Sequence, residues 1–325
     1  MTGYIFSLDG TALLRACPGG VAQGLIWGIM ALGVFMTFRM LNFADLTVDG
    51  SFATGGAVCI MLIMKGCNPE VALIVSFAAG LSAGLATGLL HTLFGIPDIL
   101  AGILTQLGLW SVNLKLLGGK SNQAINVNLV TLHITSNARY LSRTIIIMVV
   151  FCAILISILY WYLGTEQGSA IRATGINPKM SRAQGINTDG MKVLALALSN
   201  GMVALAGGIL AQFQGFADAN MGRGAIVIGL AAVIIGEVIG ESIFKKGMSF
   251  ILRLGFVVVG GVIYYLVYVL VLWLKFPAND MKLLTAIVVA AFLAVPYLKE
   301  KKKSSFHKVA RENKKSGIIS GKGEE

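Results

Sequence analysis

Apolar runs of about 20 residues, the length that carries a helix across about 30 Å of hydrocarbon, follow one another along almost the whole chain, separated by short polar breaks. They fall at about residues 20–38, 51–64, 71–94, 99–117, 144–163, 193–213, 225–239, 250–274 and 283–298. Short segments of alternating polarity, the mark of a transmembrane β-barrel, are absent. The pattern predicts an all-α polytopic membrane protein with about eight to ten transmembrane helices, one of them broken or re-entrant near residues 39–51. Two domains are expected: a transmembrane domain over residues 1–298, containing the polar loop 166–192, and a basic tail over residues 299–325. Residues 1–18 read as a short polar lead, without the basic segment that opens a cleaved signal peptide.

The breaks carry most of the information. Residues 39–51 hold Asn42, Asp45 and Asp49, too polar for lipid and too short for a domain, so these groups must face water, protein or backbone donors. Residues 166–192 form the longest polar stretch with membrane-length apolar sequence on both sides. Within it Asn177 supplies an N-cap and Pro178 a first helical position, predicting a short helix over 179–184 closed by Gly185; a similar piece over 169–174 ends at Gly175. A structured but inert loop and a docking element for a soluble partner both fit.

Inside the spans, Gly80, Gly84 and Gly88 share one helix face, which predicts close helix packing. His91 reads as an interfacial or satisfied side chain. Thr105, Gln106, Ser111, Asn113 and Lys115 interrupt the fourth span. A water-filled path and hydrogen bonds between helices explain them equally. Gly119-Lys120-Ser121 imitates the end of a phosphate-binding loop, but Leu114 stands where the leading glycine belongs, so no nucleotide site follows.

Composition sharpens the class: 56% hydrophobic and 13% charged residues lie far from soluble averages. The net charge of +11 is concentrated after the last span, which points to a membrane surface and not to nucleic acid. With the basic tail on the cytoplasmic side, the polar loop 166–192 and Lys245-Lys246 fall on that side too, and nine spans put the N-terminus outside. Cys17, Cys59, Cys67 and Cys152 are scattered singly and read as small apolar side chains. No metal cluster and no catalytic constellation is evident, which argues against an enzyme.

Two stretches carry a family pattern. Gly24 to Gly33, then Leu41-Asn42-Phe43-Ala44-Asp45, then Gly50-Ser51-Phe52-Ala53-Thr54-Gly55-Gly56 form the first; Gly168 to Asn187 followed by Ala206-Gly207-Gly208 forms the second. Together they resemble the permease subunits of ABC importers of the branched-chain amino acid and ribose type, over about residues 20–296. The run from Leu41 to Gly50 is most similar to a branch associated with tryptophan or tyrosine uptake. Asp45 stands where branched-chain amino acid permeases usually carry His.

The resemblance implies that 166–192 is a cytoplasmic coupling loop seated in a separate ATPase, with Arg172, Pro178, Met180, Arg182 and Gly185 as contacts. It implies a bacterial plasma membrane location and a second permease copy, read as a homodimer. An extracytoplasmic binding protein would dock on loops 118–143 and 214–222, and ATP with magnesium would sit on the ATPase, leaving this chain without a cofactor. For the substrate path the candidates are Asn42, Asp45, Asp49, Gln106, Trp110, Asn113, Asn200 and Glu237. Three alternatives stay open: an ion-coupled secondary transporter using Asp45, Asp49 and Glu237; the same permease role with a branched-chain amino acid, sugar or nucleoside; and a structural or insertion-type subunit with no substrate.

Overall fold

A computed structural model describes residues 10–125, 141–244 and 248–274, with the isolated positions 283, 286, 287, 290 and 294. The expected ninth span, the basic tail, Lys245-Lys246 and most of the loop 118–143 therefore lie outside the described residues. Among those described, eight helices are long and apolar enough to cross a membrane, as the hydropathy pattern predicts.

Helix α1 (Gly10–Val34) passes directly into a π-helical segment, Phe35–Met40. Its first turns replace the expected polar lead, because Thr11 to Cys17 is mostly Ala, Leu and Arg, good helix formers that extend the apolar ladder backwards. The chain then reverses through 41–46, with Asn42 at φ 54°, the one non-glycine residue with positive φ among those described. Helix α2 (Thr47–Met64) begins earlier than predicted, so the break is shorter and Asp49 lies in the first turn of a helix. Helices α3 (Pro69–Leu93), α4 (Asp98–Leu116) and α5 (Leu141–Gly164) follow the expected spans closely.

The polar loop contains two helices, α6 (Glu166–Ile176) and α7 (Pro178–Ala183). Next come α8 (Thr188–Gln214), α9 (Ala225–Phe244) and α10 (Phe250–Trp273). A short antiparallel sheet pairs β1 (Asn122–Ala124) with β2 (Phe216–Asp218), joining the loops after α4 and α8 at the end of the bundle opposite α6–α7.

Packing reveals an arrangement that the hydropathy pattern does not. α3 lies on α8 and α1 lies on α10, while α2 leans on α3 and α8, and α9 on α10 and α1. Exchanging α1, α2, α3 for α8, α9, α10 reproduces the same pairings, and because α1 runs toward the α6–α7 end and α8 away from it, the two halves are inverted repeats. Phe43-Ala44-Asp45 follows the first helix of one half and Phe216-Ala217-Asp218 that of the other. The glycine stripe on α3 has its expected role: Cβ atoms at Gly80 and Gly84 would strike the backbone of α8 at Asn200 and Leu196.

Candidate functional site

The break after α1 brings the chain back into the body of the bundle. Asp45, 2% exposed, accepts from its neighbour Thr47 N (2.9 Å) and from Asn200 Nδ2 (2.6 Å). Asn200 stands roughly 18 Å along α8 from Thr188, so α2 starts deep in the bundle and not at its surface. Ser51 Oγ donates to Asn200 Oδ1 (2.6 Å), and the amide also donates to Leu196 O (3.0 Å). Beside them the hydroxyls of Thr47, Thr87 and Thr105 form a buried chain at 2.7 and 2.9 Å. Every polar atom of Asn200 is thereby used, which is what makes its burial tolerable.

One helical turn further, Asp49 reaches across to the other half. Its two oxygens accept from Gly224 N and Ile226 N, each at 2.9 Å, capping the N-terminus of α9, where free N–H groups favour an anion. Asp45 serves α2 in the same sense. The starts of α2 and α9 thus meet at depth, α2 leading to the sheet end and α9 to the α6–α7 end, where Glu237 pairs with Arg39 of the π segment at 2.9 Å. Of the residues nominated for a substrate path, Asp45, Asn200 and Glu237 are engaged within the protein, and Asn42 is an exposed turn residue.

The remaining four converge. Asp49, Gln106, Trp110 and Asn113 line one cleft of about 270 Å³ with Gly50, Leu107, Ala219 and Arg223. Trp110 Nε1 donates to Asn220 Oδ1 at 3.3 Å. Asn113 is fully buried, yet neither amide atom has a hydrogen-bond partner. Arg223 was missed by sequence reasoning, since an arginine in a short turn carries no signal until the turn folds back onto α2.

At the opposite end α6 and α7 make a rigid hairpin. Thr165 Oγ1 accepts from Gly168 N (3.4 Å) and Asn177 Oδ1 from Met180 N (3.0 Å). Gly185, at φ 82°, closes α7 with Ile186 N donating to Ser181 O (3.1 Å). Capping by Asn177 and termination at Gly185 match the sequence expectation. The first helix does not: α6 is longer than 169–174, and Gly175 lies inside it because that glycine is needed for contact and not for termination. A Cβ there would collide with the Met40 carbonyl oxygen at the end of the π segment.

The five nominated coupling residues separate in the same way. Pro178 and Gly185 are exposed, and Met180 is 63% exposed. Arg182 is tied back to α8 through Thr188 Oγ1 (2.7 Å) and Asp189 (2.8 and 3.0 Å). Arg172 donates to Ser169 Oγ (3.2 Å) and lies over the Phe250 ring, 5.9 Å from its centroid. Ile176, 85% exposed, was missed. It ends α6 as Met180 lies in α7, so each of the two short helices leaves one large apolar side chain exposed in an otherwise polar stretch.

Residues 18–293 match the family described as branched-chain amino acid transport system, permease component. The chain is 37% identical over 301 residues, 92% of its length and 98% of the relative's, to a tyrosine transport system permease protein of Clostridioides difficile. It is 32% identical over 215 residues to an uncharacterized protein of Rickettsia prowazekii, covering 66% and 74% of the two chains. An autoinducer 2 import system permease protein of Yersinia enterocolitica is 30% identical over 221 residues, 67% of this chain and 58% of that protein. No solved structure matches significantly.

Proposed function

This chain belongs to the permease-component family of branched-chain amino acid transport systems, and we propose that it carries an amino acid, tyrosine or tryptophan, inward through a bacterial plasma membrane as a subunit of an ABC importer. It is a multi-pass ABC-type permease. An aromatic substrate is favoured by the tyrosine permease that is similar over nearly the full length. The autoinducer import permeases align over a shorter part of the chain and speak for the shared role more than for the cargo.

In this reading the hairpin end faces the cytosol with the C-terminal tail, a separate ATPase binds ATP and magnesium, and the chain itself needs no cofactor and catalyses no reaction. The sheet end receives a substrate-loaded binding protein, and two copies of the permease enclose the path. The observation that carries the reading is the hairpin: two capped helices present Ile176 and Met180 to solvent while Gly175 seats them on Met40. A bare polar loop would need neither the caps nor the seat.

The test is uptake by proteoliposomes holding the permease, its genomically adjacent ATPase and the binding protein. Wild type is expected to accumulate tyrosine only with ATP inside, and the double substitution I176D/M180D is expected to abolish uptake while membrane insertion persists. Accumulation driven by an ion gradient with no ATPase present would establish the secondary-transporter alternative instead.

A further inference from the structure

The cleft between the start of α2, one face of α4 and the 219–224 turn contains a contradiction that a ligand would resolve. Asn113 is fully buried, lines the cleft and leaves both amide atoms without partners. Buried amides are almost always satisfied because an orphaned one keeps the whole desolvation penalty. An amide is also the neutral side chain that offers a donor and an acceptor side by side, so the missing partner is a molecule that both accepts and donates.

Charge narrows the class. The cleft has one anionic and one cationic side chain, Asp49 and Arg223. The Arg223 guanidinium has no hydrogen bond or ion pair among the described residues. Asp49 already accepts two backbone N–H groups, but a carboxylate has about four lone-pair sites, so it retains capacity. Opposite charges with zero sum suit a zwitterion; a simple cation or anion would leave one of them facing a like charge, and a sugar would meet both with neutral hydroxyls and leave their charges uncompensated.

Shape narrows it again. Trp110 and Leu107 supply a flat apolar wall, and the bond from Trp110 Nε1 to Asn220 fixes the ring. At about 270 Å³ the cleft falls at the small end of ligand sites, which run from roughly 300 Å³ upward. One amino acid fits; a peptide or oligosaccharide does not.

We infer that this cleft is the permease's own seat for a single zwitterionic amino acid with a flat side chain. The substrate carboxylate meets Arg223 and accepts from the Asn113 amide nitrogen, its ammonium meets Asp49 and donates to the Asn113 amide oxygen, and its side chain lies along Trp110. The inference rests on the amino acid importer reading and adds to it the site and the group that each residue reads.

Saturation-transfer NMR on the full-length permease in nanodiscs tests this directly, with L-tyrosine, L-tyrosine amide and ribose as probes. The dissociation constant for tyrosine is expected to rise about tenfold or more in Arg223→Gln and in Asn113→Leu, the worth of a lost charge-assisted or buried hydrogen bond. Tyrosine amide, lacking the carboxylate, is expected to bind wild type weakly and to lose nothing further in Arg223→Gln. Unfolding midpoints of both variants serve as the folding control, Arg223 being exposed and leucine being close to asparagine in size. Equal tyrosine affinity in all three proteins, ribose binding more tightly than tyrosine, or no tyrosine binding by wild type would each overturn the assignment. ATP-driven uptake in the same preparations separates the two readings. Tyrosine held at the cleft without uptake sinks the importer and keeps the site, whereas uptake unaltered by both substitutions sinks the site alone.

Discussion

Gly175→Ala isolates the mechanical role that we propose for the hairpin. The new methyl group would fall well inside contact distance of the Met40 carbonyl oxygen and against the Leu41 Cα, whereas a carbon and a carbonyl oxygen settle at about 3.3 Å or beyond. Both obstacles are backbone, so no side chain can swing aside, and α6 must move off the π segment by an amount on the order of 1 Å. Overpacking of this kind costs about 1–3 kcal/mol, the same range as a typical coupling free energy between sites. If the hairpin transmits force through this seat, the variant should hydrolyse ATP yet move about tenfold less tyrosine per ATP.

A matched control sits at the other end. Gly215 closes α8 at φ 78° with open space around its Cα, so Gly215→Ala adds left-handed strain of about 1–2 kcal/mol without touching Met40. The assay is tyrosine accumulated per ATP hydrolysed in proteoliposomes, with thermal unfolding measured alongside. A Gly175→Ala permease with wild-type stoichiometry, or a Gly215→Ala permease equally uncoupled at equal stability loss, would refute the transmission argument.

Two further substitutions probe the junction and the hairpin. Asn200→Leu removes the donor to Asp45 and the acceptor for Ser51, stranding a buried carboxylate; a cost of about 3 kcal/mol is expected, read as a clear fall in the unfolding midpoint in detergent, and an unchanged midpoint would show that the network does not hold α2. Arg182→Ala frees α7 from Asp189, and because both partners are half exposed or more the loss is expected at or below about 1 kcal/mol. It should appear as faster hydrogen exchange at Ile186 and Gln184 with little change in global stability; unchanged exchange there would mean that the ion pair does not secure the hairpin.

Hydropathy alone located the membrane helices because their apolar length is set by the bilayer, and local capping located α7 because Asn177, Pro178 and Gly185 act on their immediate neighbours. What sequence left dark depends on partners distant along the chain. Gly175 and Gly185 look alike as letters, but one admits a neighbouring backbone and the other a positive φ. Asp45 and Asp49 read as path residues because intramembrane carboxylates so often are; the structure also gives each a capping contact, Asp45 for α2 and Asp49 for a helix that begins at Ala225, while Asp49 lines the cleft as well. The β1–β2 pairing, three residues on each side, is too short to leave a pattern. The second Phe-Ala-Asp was the available signal for the inverted repeat, and two large apolar residues, Ile176 and Met180, in a polar stretch were the signal for exposed apolar surface there.

The division between what is packed and what is merely hydrogen-bonded suggests where the bundle yields. α3 and α8, like α1 and α10, meet backbone to backbone across glycines, a close-packed contact that resists gradual deformation. The starts of α2 and α9 meet closely at Gly222, set against the Asp49 carbonyl, and are otherwise joined through Asp49 and two backbone N–H groups, each worth only about 1–3 kcal/mol net. Under the proposed coupling role, force entering at Gly175 would reach Met40, and from there two routes lead to that junction: along the chain through 41–46 into α2, and across the Arg39–Glu237 pair into α9. The connecting piece is a π-helical turn followed by Asn42 in a left-handed conformation, both sparsely populated geometries that cost little to leave. A displacement at the hairpin would therefore be spent on separating α2 from α9, beside the cleft, while the glycine-sealed pairs stay whole.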